Sequence, residues 1–236
     1  MSDNKNPALH DGHRDRVRRR FTDDGLEKFL DHQVIELLLF YGIPRKDTNE
    51  IAHNLINRFG SFSGVFDAPI ESLMESGLSY NAAVLLKLIP AVSARYCQDR
   101  YQFQEGDPDE SETDSTGRFI VPYFIGKNEE QVMLLLYGAK GKRIFMDVIS
   151  KGTVTGSDVN IKKIMHACIQ HKASGAIVAH NHPSGIALPS KTDKEMTKKL
   201  KTALSSIGVI LFDHYIVADA EYCAMSELTD CMDIFY

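Results

Sequence analysis

An acidic segment from residue 102 to residue 117 divides this chain into two parts whose apolar residues follow different periods. The segment, QFQEGDPDESETDSTG, is rich in Asp, Glu, Ser, Thr, Gly and Pro and has no apolar periodicity. Such a composition is typical of a linker because it offers little apolar surface to bury. A chain of 236 residues has room for two ordinary domains. We therefore predict domains at residues 1–101 and 118–236, joined by a linker at 102–117.

Before the linker, apolar residues recur at the spacing of amphipathic helices. Three runs show this spacing: Val34, Leu37, Leu38 and Tyr41; Ile51, Leu55, Ile56 and Phe59; and Val84, Leu85, Leu88, Ile89 and Val92. The turn at residues 75–79 contains Gly77 and separates two helical runs, which is the layout of a helix-hairpin-helix element. Such a hairpin can present backbone amides to phosphate, although most joints of this kind bind nothing. The first domain is therefore predicted to be all-helical and helix-hairpin-helix-like.

After the linker, the pattern becomes a mixture of strands and helices. Strands are predicted at residues 132–137, 143–149, 176–179, 209–217 and 222–225, and helices at 159–169 and 196–207. The first two strands flank a turn at 138–141 and form a predicted hairpin, whereas the strand at 176–179 is apolar throughout, as buried strands are. The fold class predicted for the chain is α+β, with a mixed α/β sandwich as the second domain.

Charge, hydropathy and cysteine spacing exclude several classes of protein. The chain has 27 basic and 32 acidic residues, a formal charge of −5, so it does not coat nucleic acid by charge alone. No run approaches the roughly 20 apolar residues that cross a bilayer, and the polar start lacks the apolar core of a signal peptide. We therefore expect a cytoplasmic protein with no membrane partner. The four cysteines are scattered, which predicts neither a disulfide scaffold nor a thiolate zinc site.

The segment at the end of the apolar strand contains two histidines that can bind one metal ion. Alternate side chains of an extended chain point the same way, so His180 and His182 share a side. A catalytic zinc ion typically has three protein ligands and one open position. Asp193 follows His182 after ten residues, among which Gly185 and Pro189 allow the chain to double back. The sequence therefore predicts one zinc ion per chain, held by His180, His182 and Asp193.

Two of these positions also have an ordinary structural interpretation. Ser190 lies three residues before Asp193 at the start of an apolar helix, which is the pattern of a helix-capping box. The cap and the metal site can coexist, because a capping carboxylate retains a second oxygen. His214, which follows Asp213 in a predicted strand, has two interpretations: a residue that orients a metal ligand from behind, or a histidine that is simply packed in the sheet.

The residues described above resemble a known family. His180-Asn181-His182-Pro183, with Ser190 and Asp193, is similar to the His-x-His-Pro and Ser-x-x-Asp signature of the JAB/MPN metalloprotease-like family. Several further stretches make nearly the whole chain similar to RadC proteins: HNHPSG, Asp213-His214, the Gly152-Thr153 turn, GHRDRVRRRF and ELLLFYGIPRKDTNEIAHNLINRFGSF. The resemblance implies a JAB/MPN domain with a cytidine-deaminase-like mixed sheet, and hydrolysis of peptide or isopeptide bonds by a zinc-activated water.

The resemblance also assigns roles to individual residues of this chain. His180, His182 and Asp193 match the zinc ligands, and Ser190 matches the residue that stabilises the oxyanion. Counting back from Gly152, the glutamate that serves the family as general base falls on Asp147, whose side chain is shorter by one C–C bond, about 1.5 Å. A general base works at hydrogen-bond distance, so the shorter side chain is expected to slow the reaction or abolish it.

A second function remains open because of one basic cluster near the start of the chain. Its members are Arg14, Arg16, Arg18, Arg19 and Arg20. Arginines suit phosphate contacts, but acidic neighbours dilute this cluster, and most charge runs are solvated faces. RadC proteins are described as DNA repair proteins, which implies DNA as a partner of the helical domain. The chain is therefore either a zinc-dependent hydrolase of an unknown protein or peptide, or a DNA-binding accessory factor whose zinc site is structural or weakly active.

Overall fold

The computed structural model describes residues 12–44, 46–102, 112–152, 157–183 and 185–235. The chain divides into two compact units, Met1–Ser93 and Ala94–Tyr236. The division falls inside a long helix, before the predicted end of the helical domain at residue 101. Beyond the division, Gln98 Nε2 donates a hydrogen bond to the carbonyl oxygen of Pro122 at 3.3 Å, which ties the last turns of this helix to the second unit.

Helices make up the regular structure of the first unit, as the apolar spacing predicts. They are α1 (His13–Asp24), α2 (Asp31–Gly42), α3 (Asn49–Phe59), α4 (Phe62–Asp67), α5 (Ile70–Glu75) and α6 (Tyr80–Gln102), the last of which continues past Ser93. Their fully buried residues include Ile35, Leu39, Leu55, Leu73 and Leu86. The helices form because each presents one apolar stripe to this shared core.

The joint between α5 and α6 is a tight turn at Gly77. Gly77 has a φ of 90°, which a residue with a side chain rarely adopts, and the Leu78 amide bonds back to the carbonyl oxygen of Leu73 at 3.4 Å. Ser79 Oγ then accepts a hydrogen bond from the Ala82 amide at 3.3 Å, and so caps the start of α6.

The second unit is built on one mixed five-stranded sheet. Its elements are α7 (Glu112–Ile120), β1 (Gln131–Tyr137), β2 (Arg143–Lys151), α8 (Ser157–His171), β3 (Gly175–Asn181), α9 (Lys191–Ser205), β4 (Ile210–Ala218), β5 (Glu221–Ala224) and α10 (Met232–Phe235). The strand order is β2-β1-β3-β4-β5. Only β3 and β4 pair in parallel, while the other neighbours are antiparallel. These elements confirm the predicted mixed α/β architecture.

Two apolar layers cover the two faces of the sheet. Alternate residues of β1 and β3, such as Leu134 and Val178, pack with Leu200 and Leu204 of α9 and with residues of α8. The intervening residues, such as Leu135 and Ala179, pack with the end of α7 on the opposite face. This alternation fixes which residues of β3 face α9, and it thereby positions the site described below.

Part of the predicted linker forms a helix. Residues 103–111 lie outside the described residues, but 112–117 belong to α7, so the linker prediction is corrected there. Tertiary contacts explain the helix: Tyr215 donates to the Thr113 carbonyl oxygen at 3.1 Å, Tyr222 donates to Asp114 Oδ1 at 2.7 Å, and Phe119 and Ile120 are buried. The polar composition of the segment gave no sign of these partners. Separately, none of the described helices is long and apolar enough to span a bilayer.

Candidate metal centre

His180 occupies the next-to-last position of β3, on the face that α9 covers. It follows Ala176 and Val178 in the alternation of that face, and it pairs with Val132 of β1. The imidazole is almost completely buried, with 2% of its surface exposed. Burial of a polar ring is costly unless its nitrogens find partners, so the surroundings of both nitrogens define what this residue does.

His182 lies just beyond the end of β3 and points the same way as His180. Its backbone amide donates to the Val217 carbonyl oxygen at 2.8 Å, which extends the pairing with β4 past the strand end and fixes the position of the residue. Its Nδ1 lies 3.0 Å from the carbonyl oxygen of Ile186. A carbonyl oxygen can only accept, so His182 Nδ1 carries the proton and Nε2 is left with a free lone pair.

Asp193 reaches the two histidines from the first turn of α9. The predicted capping box is present: Ser190 Oγ accepts from the Asp193 amide at 3.2 Å, and Asp193 Oδ2 accepts from the Ser190 amide at 2.7 Å. Burial by itself raises the pKa of the Asp193 carboxyl, but hydrogen bonds from His180 and Ser190 outweigh burial and hold that pKa well below its ordinary value. The carboxylate is therefore ionised at neutral pH, and the cap and the cluster coexist.

The three side chains converge at distances that suit a zinc ion. We call His180, His182 and Asp193 the His–His–Asp cluster; it is the one group of possible metal ligands found among the described residues. His180 Nε2 lies 2.9 Å from His182 Nε2 and 3.3 Å from Asp193 Oδ1, and His182 Nε2 lies 3.4 Å from Asp193 Oδ2. Ligands of a tetrahedral zinc ion, each roughly 2.0–2.1 Å from the metal, are about 3.3 Å apart. The donor set and its spacing therefore fit zinc.

A buried hydrogen-bonded chain lies behind His180. Its Nδ1 is 2.8 Å from Nε2 of His214, and Nδ1 of His214 is 2.7 Å from Thr197 Oγ1. Thr197 Oγ1 in turn donates to the carbonyl oxygen of Asp193 at 2.6 Å. Complete burial lowers the pKa of His214 well below its ordinary value, and His180 adds to this effect. His214 is therefore neutral, and it contacts a predicted metal ligand from behind.

The His–His–Asp cluster forms one wall of a cavity of about 220 Å³. Ser190 and Glu130 are further polar residues of the cavity wall, and Val132 and Met196 are apolar ones. Glu130 precedes β1 by one residue, and its Oε1 lies 4.0 Å from His180 Nε2. Because Val132 pairs with His180, the same antiparallel register places Glu130 opposite His182. The structure therefore brings to the cluster a carboxylate that sequence reasoning missed.

Asn181, which lies between the two histidines in sequence, points to the opposite face and holds the segment that carries Glu130. Its Oδ1 accepts from the Gln131 amide at 2.7 Å. Its Nδ2 donates to the carbonyl oxygens of Lys127 and Glu129, at 3.2 and 3.1 Å. Three hydrogen bonds from one buried side chain therefore fix the backbone on both sides of Glu130.

Asp147, the predicted general base, does not reach the cluster. It pairs with Leu134, whereas His180 pairs with Val132, so Asp147 is two strands and two residues away from His180. At ordinary strand spacings this separates the two Cα atoms by about 12 Å. The side chain is exposed, and its Oδ1 accepts a hydrogen bond from the Val148 amide at 2.8 Å. The assignment to Asp147 is therefore corrected, because counting along the chain selected the wrong strand of the hairpin.

Ser190 lies where the sequence predicts it, at the edge of the cavity. Its hydroxyl donates to Asp193 Oδ2 at 2.6 Å. A hydroxyl group has one proton, so Ser190 can donate to a substrate oxygen only after it turns away from Asp193. Two other positions of the motif stretches, Thr153 and Ser184, lie outside the described residues.

The arginines of the basic cluster have different surroundings along α1. Arg14 donates to the carbonyl oxygens of Phe40 and Ile43, at 3.2 and 2.7 Å. Arg18 bonds to Asp15 Oδ1 at 3.0 Å, and Arg20 bonds to the Lys28 carbonyl oxygen. Arg16 and Arg19 are exposed and lie three residues apart on the helix. Arg14 and Arg20 therefore bond to segments outside α1, Arg18 bonds within the helix, and Arg16 and Arg19 face solvent.

The chain is similar to known proteins along most of its length. A family model described as the RadC-like JAB domain matches residues 110–230, which is more than half of the chain. The UPF0758 protein FN0909 of Fusobacterium nucleatum subsp. nucleatum is 32% identical over 221 residues, which cover 92% of this chain and 95% of that protein. The range matched by the family model contains the His–His–Asp cluster together with Glu130, Thr197 and His214.

Proposed function

This chain belongs to the RadC family, and we propose that its JAB domain is a zinc-dependent hydrolase of peptide or isopeptide bonds. One observation carries the proposal: three side chains, whose metal-ligand atoms lie 2.9 to 3.4 Å apart, share a cavity with a carboxylate that is not one of the ligands. Three ligands with an open position and a nearby base are the parts that a hydrolytic zinc site requires.

Each residue of the site has a role in the proposed reaction. A bound zinc ion supplies Lewis acidity, which lowers the pKa of a water molecule toward about 7 and polarises the carbonyl oxygen of a substrate. Glu130 Oε1 is 4.0 Å from His180 Nε2, too far for a direct hydrogen bond, so its carboxylate stays available to a water molecule in the cavity. Glu130 accepts the proton of the attacking water and returns it to the leaving amine.

Ser190 has a second role in this proposal. Peptide hydrolysis places negative charge on the carbonyl oxygen, and a donor at the edge of the cavity stabilises that charge. The Ser190 hydroxyl serves as this donor once it turns from Asp193 toward the substrate. Asp193 retains the hydrogen bond from the Ser190 amide during this rotation, so the start of α9 keeps its cap.

The proposal is tested by exchanging single carboxylates for amides. Zinc-loaded protein is incubated with quenched fluorescent peptides and with lysine-linked isopeptides. Glu130→Gln should retain zinc and lose cleavage by about a hundredfold or more, because it cannot accept a proton. Asp147→Asn, the matched control on the neighbouring strand, should cleave at the native rate. Cleavage by Glu130→Gln at the native rate would contradict the role of Glu130, and native protein without zinc-dependent cleavage would favour an accessory function.

A second candidate function is DNA binding by the helical unit, with a zinc site that is structural or weakly active. The exposed side chains of Arg16 and Arg19 favour it, because two guanidinium groups three residues apart on one helix can contact neighbouring phosphates. If both bind phosphate, the double variant Arg16→Ala/Arg19→Ala should bind branched DNA more weakly, with a salt dependence shallower by about 1.8 in log–log slope.

The charge-matched control for DNA binding is Lys140→Ala/Lys142→Ala, in the exposed turn between β1 and β2. It removes the same charge from a different surface. Equal loss of binding in both double variants would mean that net charge alone attracts the DNA, and it would exclude a specific role for α1.

A further inference from the structure

We propose that His214 and Thr197 are positioning residues that fix the tautomer and the orientation of His180 before a metal ion binds. The inference rests on the proposed zinc site, but it concerns two side chains that do not belong to the cavity wall. Both are completely buried, with 0% of their surface exposed. Buried polar side chains that line no cavity still need an explanation for the desolvation that they undergo.

The direction of the hydrogen-bonded chain follows from its last member. The Asp193 carbonyl oxygen has no proton, so Thr197 must donate its single hydroxyl proton to it across 2.6 Å. Thr197 Oγ1 can then act only as an acceptor toward His214, whose Nδ1 lies 2.7 Å away. The reverse arrangement would place two acceptors face to face at 2.6 Å. Nδ1 of His214 is therefore protonated.

The proton of His214 also determines which nitrogen of His180 carries a proton. A neutral imidazole has one proton, so Nε2 of His214 is an acceptor. It lies 2.8 Å from Nδ1 of His180, which must supply the proton of that bond. In the neutral ring that binds a metal ion, Nε2 of His180 consequently carries the lone pair, directed at the other members of the cluster. A free imidazole side chain favours the opposite tautomer, so the protein has to impose this one.

The chain closes into a ring through the metal ligands themselves. It begins at the main-chain oxygen of Asp193, passes through Thr197 and His214, and ends at His180, whose Nε2 faces the carboxylate of Asp193 at 3.3 Å. Helix α9 and strands β3 and β4 each contribute a member. The ring therefore holds two ligands from different elements, β3 and α9, at a fixed separation, which lowers the conformational cost of binding a cation.

The test compares two threonines of α9 that make the same local hydrogen bond. Thr197 donates to Asp193 and Thr202 donates to Lys198, each to the carbonyl oxygen four residues earlier, but Thr197 is buried in the ring whereas Thr202 is exposed. Zinc affinity is measured by competition with a chromophoric chelator. Thr197→Val should weaken it by about 10- to 100-fold. Thr197→Ser, which keeps the hydroxyl group, should have a zinc affinity within about threefold of that of the native protein. Thr202→Val should bind zinc as tightly as the native protein does.

Equal losses in Thr197→Val and Thr202→Val, or none in Thr197→Val, would overturn the inference. A second measurement applies if Thr197→Val does not fold. The imidazole ¹⁵N shifts of the native, zinc-free protein, recorded at a pH at which both rings are neutral, should assign the proton of His180 and of His214 to Nδ1. Protonation of His180 at Nε2 in that spectrum would equally overturn it. Neither measurement depends on turnover, so an inactive protein that binds zinc with the expected differences would refute the hydrolase proposal alone.

Discussion

Among the described residues, the helical unit buries two polar side chains, Glu36 and Thr48, whereas the sheet unit buries five. The two buried polar side chains of the helical unit form hydrogen bonds between neighbouring helices. Glu36 accepts hydrogen bonds from His13 at 2.9 Å and from Asn49 at 3.2 Å, and Thr48 donates one to the Glu36 carbonyl oxygen. They join α1, α2 and the start of α3, and among the described residues no group of three possible metal ligands lies in this unit.

The five buried polar residues of the sheet unit are arranged differently. They are His180, Asn181, Thr197, Asp213 and His214. All except Asp213 belong to the His–His–Asp cluster, bond to it, or bond to the segment that carries Glu130. Burying a polar group costs free energy unless the group is hydrogen-bonded. Their concentration around one cavity therefore indicates a functional site rather than separate structural hydrogen bonds between elements. The comparison teaches that the arrangement of buried polar groups distinguishes function from architecture better than their presence does.

The largest expected effect tests whether this concentration serves a metal ion. His182→Ala removes one of three ligands, so zinc affinity should fall by more than about a hundredfold. This is a larger loss than the one expected when a residue that only hydrogen-bonds to a ligand is removed. Elemental analysis of the purified variant should find little zinc, whereas the native protein should hold about one ion per chain. His166→Ala, an exposed histidine on α8, is the matched control and should retain zinc. Unchanged zinc content in His182→Ala would contradict the claim that the buried polar residues of the sheet unit serve a metal ion.

The next effect concerns the segment that carries Glu130. Asn181→Ala removes three hydrogen bonds and leaves the Gln131 amide without its partner, so local stability should fall by about 2–3 kcal/mol. Hydrogen exchange at Gln131 should speed up by up to about a hundredfold, since each tenfold step corresponds to about 1.4 kcal/mol. Asn54→Ala, at an exposed position of α3, should leave exchange at Gln131 unchanged. Native protection in Asn181→Ala would mean that the segment is held by other contacts.

A smaller effect on stability is expected when the hydrogen bonds of Glu36 in the helical unit are disturbed. Glu36→Gln replaces one of the two acceptor oxygens by an NH2 group. In one orientation of the amide, Asn49 loses its acceptor, and in the other orientation His13 loses its acceptor. Either outcome leaves a donor unpaired, so the unit should lose about 1–3 kcal/mol of stability. Hydrogen exchange of peptides from residues 12–93 measures this loss, with Glu50→Gln on the exposed face of α3 as control. Zinc affinity should not change, and a loss of zinc would contradict the separation of roles.

The smallest effect concerns the attachment of α7 to the sheet. A Cβ atom added at Gly117 would lie 2.2 Å from the ring of Tyr222, so Gly117→Ala must displace that ring and its hydrogen bond to Asp114. Overpacking costs about 1–3 kcal/mol, and the better helix propensity of alanine returns about 1 kcal/mol. The net loss should be about 1 kcal/mol by urea denaturation. A more stable variant would mean that α7 is held mainly by its buried apolar residues.

Local patterns in the sequence were sufficient for the elements and for most of the cluster. The helices of the first unit, the β1–β2 hairpin, the buried strand β3 and the capping box at Ser190 were all predictable, because each depends on residues close together in the chain. The His-x-His spacing was also sufficient for two ligands, since the alternation along a strand places both on one face. The carboxylate of Asp193 followed from a turn of ten residues, which contains glycine and proline.

Pairings between distant segments were decided only by the tertiary structure. Whether Glu130 or Asp147 lies near His180 depends on which strand of the hairpin is next to β3, and both strands have suitable apolar patterns. Residues 112–117 read as linker because their partners, Tyr215 and Tyr222, lie about a hundred positions further along the chain. The ring behind His180 likewise requires α9, β3 and β4 to meet. Local patterns determine periodicity, but the register between strands and the partners of polar groups arise from the packing of the whole unit.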